Sequence, residues 1–314
     1  MATVDVTVEQ GTQQATLADA FTYASALQLY VGVGETIEIR DPDDLSVLLS
    51  VNFGSFNSAT ALAFTDGFLY AIIASDLKKL DPDDLTEVAT KSGFQPRPLF
   101  VDSAGFIYAQ DSNDDLVKLD PADLSVLGRN TAETNRINGG GAGANDVYAG
   151  GFNDVVRKMA QSDISVVLET SPALSDIEEV VVGSDGSVVA GDRTSTIHRF
   201  LGSDLSAAGT LDVGDWGIRM SASGDGHIFV SPDSTSLPVR KVKLSDMTEV
   251  ATSATNTAGG EVMFAGNGFV YSSRGGALKK LNASDLSSAV EVSASTTVNS
   301  LTVNRNIARD ILGF

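Results

Sequence analysis

The sequence predicts an all-β fold: a seven-bladed β-propeller of four-stranded antiparallel blades, closed by a C-terminal strand. Two anchors repeating with one period predict it, together with the turn chemistry between them. The first anchor is Asp44-Leu45, Asp84-Leu85, Asp123-Leu124, Asp163-Ile164, Asp204-Leu205, Asp246-Met247 and Asp285-Leu286, with successive aspartates 40, 39, 40, 41, 42 and 39 residues apart. The second is Tyr30, Tyr70, Tyr108, Tyr148, Val189, Phe229 and Tyr271, spaced by 40, 38, 40, 41, 40 and 42. Self-similarity near 40 residues marks propeller blades or helical arrays, and the interior of the repeat decides between them.

The second copy divides into four short strands: Ala59–Phe64, Phe68–Ile73, Leu77–Leu80 and Leu85–Thr90. Asp66-Gly67, Asp185-Gly186, Asp225-Gly226 and Asn267-Gly268 supply the positive φ of tight hairpins, with Ala104-Gly105 as a weaker copy. Asp41-Pro42, Asp81-Pro82 and Asp120-Pro121 fit a type I turn, in which proline presets φ at the second position. No segment sustains a 3.6-residue period over a dozen residues, which excludes helical solenoids. Inner strands are expected near 59–64, 97–102, 136–141, 177–182, 217–222 and 260–265. A further strand at 298–303 can return to the first blade and leave no open edge. The competing filler is Phe21–Ala26, in which case 298–312 and 3–17 share an incomplete eighth blade. The domains read as an N-terminal extension over 1–20, a propeller over 21–303 and a tail over 304–314. Within the extension, the alternation of Ala2–Val8 suits an added strand.

Copies such as Gly67-Phe-Leu-Tyr-Ala and Gly105-Phe-Ile-Tyr-Ala, each running on to Leu-Asp-Pro-x-Asp-Leu, resemble the YVTN, PQQ-like and WD40-like group of β-propellers across residues 20–303. The quinoprotein Gly-x-x-x-Trp phrase and the Gly-His and Trp-Asp dipeptides of true WD40 blades are missing. The resemblance therefore implies architecture and leaves activity open.

Composition bounds the function. Against 30 Asp and 11 Glu stand 9 Lys and 12 Arg, giving a net charge of -20 in 314 residues. Phosphate-neutralising nucleic-acid binding needs clustered cations, so it is excluded. The acid excess with scarce lysine resembles proteins of extreme halophiles, where carboxylates hold a hydration layer in molar salt. The bland alternative is an acidic extracellular or calcium-rich protein. The chain has no cysteine, no run of 18 apolar residues and no Sec-type leader at its start, so neither a membrane span nor ordinary secretion is expected.

Candidate chemistry is sparse. Asp111-Ser-Asn-Asp-Asp115 alternates oxygen ligands like a calcium loop but lacks the central Gly and terminal Glu, and it reads as a solvated hairpin tip. Gly139-Gly-Gly-Ala-Gly143 reads as a loop rather than a phosphate cradle. His198 takes the outward slot held by Lys or Arg elsewhere, and His227 a slot held by Phe in three blades, so the two do not form a shared site. No catalytic constellation, metal site or cofactor is expected.

The funnel rim remains. Residues before the inner strands are Gln95, Arg97, Asn135, Arg136, Asp176, Glu178, Trp216 and Glu261, a candidate binding set mixing charges, amides and one aromatic. Trp216 there either offers a stacking face or packs between blades. The expected function is a non-enzymatic interaction module. It reads as a structural or surface subunit of a larger halophilic assembly, such as a virus particle, contacting other protein subunits or a cell-surface protein or glycan. Alternatives are a stand-alone ligand- or glycan-binding propeller and, more remotely, a lactonase- or lyase-type enzyme; the alternative location is halophile cytoplasm.

Overall fold

The structure is a computed structural model. It describes residues 2–10, 13–23, 27–54, 59–132, 135–232, 237–254, 260–274, 276–294 and 297–304, the first two segments by backbone alone. The tail beyond 304 and residues 24–26 of the competing Phe21–Ala26 filler lie outside the described residues.

Seven four-stranded antiparallel sheets form the blades. Blade 2 is Ala59–Thr65, Phe68–Ile73, Asp76–Leu80 and Glu87–Ser92, running from inner to outer strand. The other inner strands are Phe94–Val101, Ile137–Ala142, Ile177–Val182, Arg219–Ala222 and Val262–Phe264, for blades 3 to 7. Blade 1 takes its inner strand from Val298–Val303, which pairs antiparallel with Leu29–Val33. The C-terminal strand thus closes the ring. The eighth-blade alternative fails because Ala2–Gln10 pairs with Gln13–Tyr23 in a separate two-stranded hairpin.

Each of seven apolar clusters joins one blade to the next. Tyr70, Ile72 and Leu77 of blade 2, for example, meet Phe94, Ile107 and Val117 of blade 3. The seam between the last and first blades is built alike, with Met263, Tyr271 and Leu278 against Leu29, Val31 and Val303. A blade buries its two faces only against neighbours, so the ring stands or falls as a unit.

The two sequence anchors meet across these interfaces. The Tyr30 hydroxyl donates to the carbonyl of Pro82 (3.1 Å), Tyr70 to Pro121 (2.8 Å), Tyr148 to Gly202 (2.9 Å) and Tyr271 to Pro42 (2.9 Å). A lysine on the third strand grips the same turn: Lys79 Nζ reaches the Pro121 carbonyl at 2.8 Å, and Lys158 Nζ that of Gly202 at 2.8 Å. The turn is wider than a type I turn. Leu45 N–H donates to the Asp41 carbonyl, and Leu85 and Leu124 repeat this with Asp81 and Asp120. Leu45, Leu85 and Leu124 then sit at φ of 63°, 60° and 61°, left-handed values that cost an L-residue about 1 kcal/mol or more. Burial of the leucine side chains and the Asp44 and Asp84 carboxylates, which accept the N–H of Ser46 and Thr86, offset that cost.

Gly139 to Ala142 belong to an inner strand, which corrects the loop reading. A Cβ on Gly139 would lie 2.3 Å from Val180 N, and one on Gly140 would lie 2.2 Å from the Phe100 ring. Close approach of blades 3, 4 and 5, rather than turn flexibility, selects these glycines.

Candidate functional site

By topology, the connections into the inner strands lie on one face of the disc, called upper here, and the Asp-Pro turns on the other. In blades 1 to 5 the inner strand shifts register near its upper end, as between Ala59 and Ala61 or Ile177 and Glu179. Such a bulge admits an extra residue and re-aims side chains. It brings charged groups from distant blades into the channel.

Arg97 of blade 3 reaches across to Glu261, which precedes the inner strand of blade 7, with Nη2 2.5 Å from Oε1. Arg219 of blade 6 approaches the same Oε1 with its Nε at 3.4 Å. Glu179 of blade 5 faces both arginines. Its one hydrogen bond among the described residues is accepted from the neighbouring Val180 N–H at 3.3 Å. Burial pushes the Glu179 carboxyl up to about 7, with Arg219 and Arg97 opposing the rise and Glu261 adding to it. A second group sits beside the first, where Arg193 meets Asp176 (3.0 Å) and Glu178 (3.1 Å) and lies over the Phe152 ring.

The structure therefore joins Arg97 with Glu261, and Asp176 with Glu178. It leaves the other four apart from both groups. Gln95 contacts Asp114 at 3.4 Å, and the Asn135 carbonyl accepts from Gln110. Arg136 is exposed. Trp216 is 53% exposed and is not packed between blades. Glu179, Arg219 and Arg193 were missed. An adjacent Glu178-Glu179 pair at the start of a strand was the available signal, because only a bulge directs two successive side chains toward one channel.

The ion group separates two spaces. Above it lies a pocket of about 100 Å³ bordered by Thr60, Asn138 and Ser300. Below it lies a chamber of about 260 Å³ walled by Leu62, Phe64, Leu99, Val101, Met220 and Met263. Glu179 and Glu261 border both.

The Asp111–Asp115 hairpin is exposed at Ser112 and Asn113, as expected of a solvated tip, but its base is closed. Asp111 is buried, its Oδ1 accepts the N–H of Asn113 and Asp115, and Arg129 Nη1 bonds both Asp111 and Asp115 carboxylates. The guanidinium occupies the place a cation would take. Among the described residues, no group of three or more His, Asp or Glu is arranged to hold a metal. His198 Nε2 lies 2.9 Å from Asp192 Oδ2. His227 Nδ1 lies 3.1 Å from Asp225, where Phe68, Phe106 and Phe269 in other blades carry a lysine over the ring.

No family model and no curated protein matches the sequence. Among solved structures, the chain is similar to the WD40 domain of Pan2 from Neurospora crassa, with a TM-score of 0.64 over 78% of this chain and 82% of that one. The chain is a seven-bladed β-propeller. At 10% identity the likeness to the Pan2 domain is one of fold. It leaves the channel chemistry to be read from this chain's own residues.

Proposed function

We propose that the propeller is a non-enzymatic protein-interaction scaffold that packs by its rim into a larger assembly in high salt. A virus particle or cell-surface layer of a halophile suits this reading, with the upper-face loops displayed for a partner. The observation that carries it is the placement of exposed apolar side chains. Val47, Leu48, Val88, Val126, Leu127, Val166, Leu168 and Val250 all lie on outer strands, and Leu201 and Trp216 are the other large exposed ones among the described residues. Outer strands also present unpaired backbone edges. An acid-coated chain that concentrates its apolar surface on one rim has a contact surface there. WD40-type propellers commonly serve as such scaffolds.

Sedimentation velocity of the chain in molar KCl tests this, alone and with extracts of its source assembly. Leu48→Lys and Leu168→Lys should abolish complexes that the unmodified chain forms. A monomer that joins no assembly, with or without those changes, refutes the reading. A second reading, glycan or ligand binding, rests on the half-exposed Trp216 alone.

A further inference from the structure

The channel holds more than rim packing requires: an open chamber of mixed apolar and polar lining, with an incompletely bonded ion group at its upper end. Arg97 and Arg219 converge on a single oxygen of Glu261. Among the described residues, Arg219 Nη1 otherwise meets the main-chain carbonyls of Ile218 (3.2 Å) and Glu178 (3.4 Å). Two guanidiniums offer ten N–H donors, so most remain available to an acceptor. Glu179 borders both spaces and takes no ion pair within 4 Å among the described residues, while Glu178 Oε1 lies 3.1 Å from Arg193 Nε without a hydrogen bond.

We propose that this channel binds a small amphiphilic monocarboxylate, its carboxylate at Arg97, which borders the upper pocket with Glu179 and Glu261, and at Arg219, which shares the Glu261 oxygen, and its hydrocarbon end in the chamber against Leu62, Leu99, Met220 and Met263. Charge selects the class. With Glu179 ionised, the two arginines and the two glutamates balance. With Glu179 protonated, these four residues carry one excess positive charge beside the single negative excess of Arg193, Asp176 and Glu178, and the neutral carboxyl adds a donor. A carboxylate ligand that enters with one proton restores balance. An ammonium ligand would stand beside two guanidiniums, and its repulsion has no compensating partner. Size selects further, because the chamber falls below the roughly 300 Å³ at which drug-sized sites begin. A short chain fits.

Proton coupling follows from the burial-raised carboxyl of Glu179, faced by Arg97 from blade 3, Arg219 from blade 6 and Glu261 from blade 7, with Glu178 beside it. While the ligand itself stays ionised, affinity is flat below about pH 7 and falls up to about tenfold per pH unit above it. This site stands independently of the rim reading.

The test is calorimetric titration of the full chain with hexanoate, hexylamine and hexanol, at about pH 6 and about pH 8, in two buffers of different ionisation enthalpy. Hexanoate should bind once per chain, weaken by about tenfold at the higher pH and take up close to one proton there. Glu179→Gln should keep hexanoate binding and remove its pH dependence. Arg219→Gln and Arg97→Gln should each weaken it by about tenfold or more. Hexylamine or hexanol binding as tightly as hexanoate overturns the proposal. So does a folded unmodified chain that binds no hexanoate, or a Glu179→Gln chain whose binding still follows pH.

Discussion

Tyr30→Phe and Tyr70→Phe each remove one hydroxyl from an inter-blade contact, yet the two sites differ in what remains. The Pro121 carbonyl accepts from Tyr70 and from Lys79, both at 2.8 Å. Without the Tyr70 hydroxyl, Lys79 still satisfies it, and the loss is one net hydrogen bond, about 1 kcal/mol. Among the described residues the Pro82 carbonyl accepts from Tyr30 alone, because the residue paired with Tyr30 on the third strand of blade 1 is Ile39 rather than lysine. Tyr30→Phe also takes a donor from Gln28 Oε1. An abandoned, half-buried carbonyl adds a desolvation cost, bringing the total to about 2 kcal/mol.

Urea unfolding in molar KCl reads both changes, with the slope unchanged if only the native contact is altered. In a chain of this length 1 kcal/mol corresponds to about 2 °C in Tm. Lys79→Met combined with Tyr70→Phe orphans Pro121, so the pair should exceed the sum of the singles by about 1 kcal/mol. Tyr30→Phe costing no more than Tyr70→Phe, or a double change additive within about 0.5 kcal/mol, would refute the shared-carbonyl argument.

Glu179 holds its proton to about 7 in the folded chain, above its unfolded value, so stability should fall as pH rises between about 4.5 and about 7 and stay level above. At about 1.4 kcal/mol per pH unit, Glu179→Gln should be more stable than the unmodified chain above neutrality by roughly 3 kcal/mol, read from urea midpoints against pH. The turn carboxylates act oppositely: hydrogen bonds from Thr86 and Ser287 hold Asp84 and Asp285 below the ordinary range, so their contribution is full above the unfolded pKa and lost as pH falls through the folded one. The far-UV signal should therefore collapse cooperatively in acid. Arg129→Met should leave Asp111 and Asp115 facing each other, destabilise by about 2 kcal/mol, and make the chain calcium-stabilised in thermal melts where the unmodified chain is indifferent. With a net charge of -20, Tm should rise steadily as KCl approaches molar concentration, a trend that a flat melting curve would contradict.

Blade count, closure and most inner strands were legible because the signals are local: Asp-Gly hairpins and Asp-Pro turns recur with one period. Boundaries drifted where the channel interferes. Blade 3 starts early at Phe94, ahead of the expected Arg97, and blade 6 starts late at Arg219. The candidate site was half legible. Counting residues back from the tyrosine anchor found Arg97 and Glu261, but their contact spans 164 residues and crosses the ring, so no spacing encodes it. Glu179 was passed over because regular alternation cannot aim Glu178 and Glu179 toward one channel. The register shift between Ile177 and Glu179 breaks that alternation.

The exceptions in the repeat explain why its two anchors drift together. Where the following blade lacks the wide turn, the tyrosine loses its acceptor. Blade 4 turns tightly at Gln161-Ser162, and Tyr108 of blade 3 bonds instead to Asp102 within its own blade (2.9 Å). Lys118 keeps the inter-blade role alone, donating to the Gln161 carbonyl at 2.7 Å. Where the tyrosine itself is replaced, by Val189 or Phe229, the grip on the next blade is replaced by packing: Val189 joins the blade 5 and 6 cluster, and the Phe229 ring stacks on Phe264 of blade 7 (5.6 Å). Tyrosine and turn are thus one interaction divided between neighbouring repeats. Blades 5 to 7, which lack it at two successive seams, are also the blades that contribute Glu179, Arg219 and Glu261 to the channel. Their seams rest on apolar contact, the ion group and two serine hydroxyls, Ser184 accepting from Gly226 N–H (3.0 Å) and Ser221 from Phe264 N–H (2.9 Å). Loosening that group by titrating Glu179 should therefore open the ring first between blades 5 and 7, a locality that hydrogen exchange at Val180, Ser221 and Val262 can resolve.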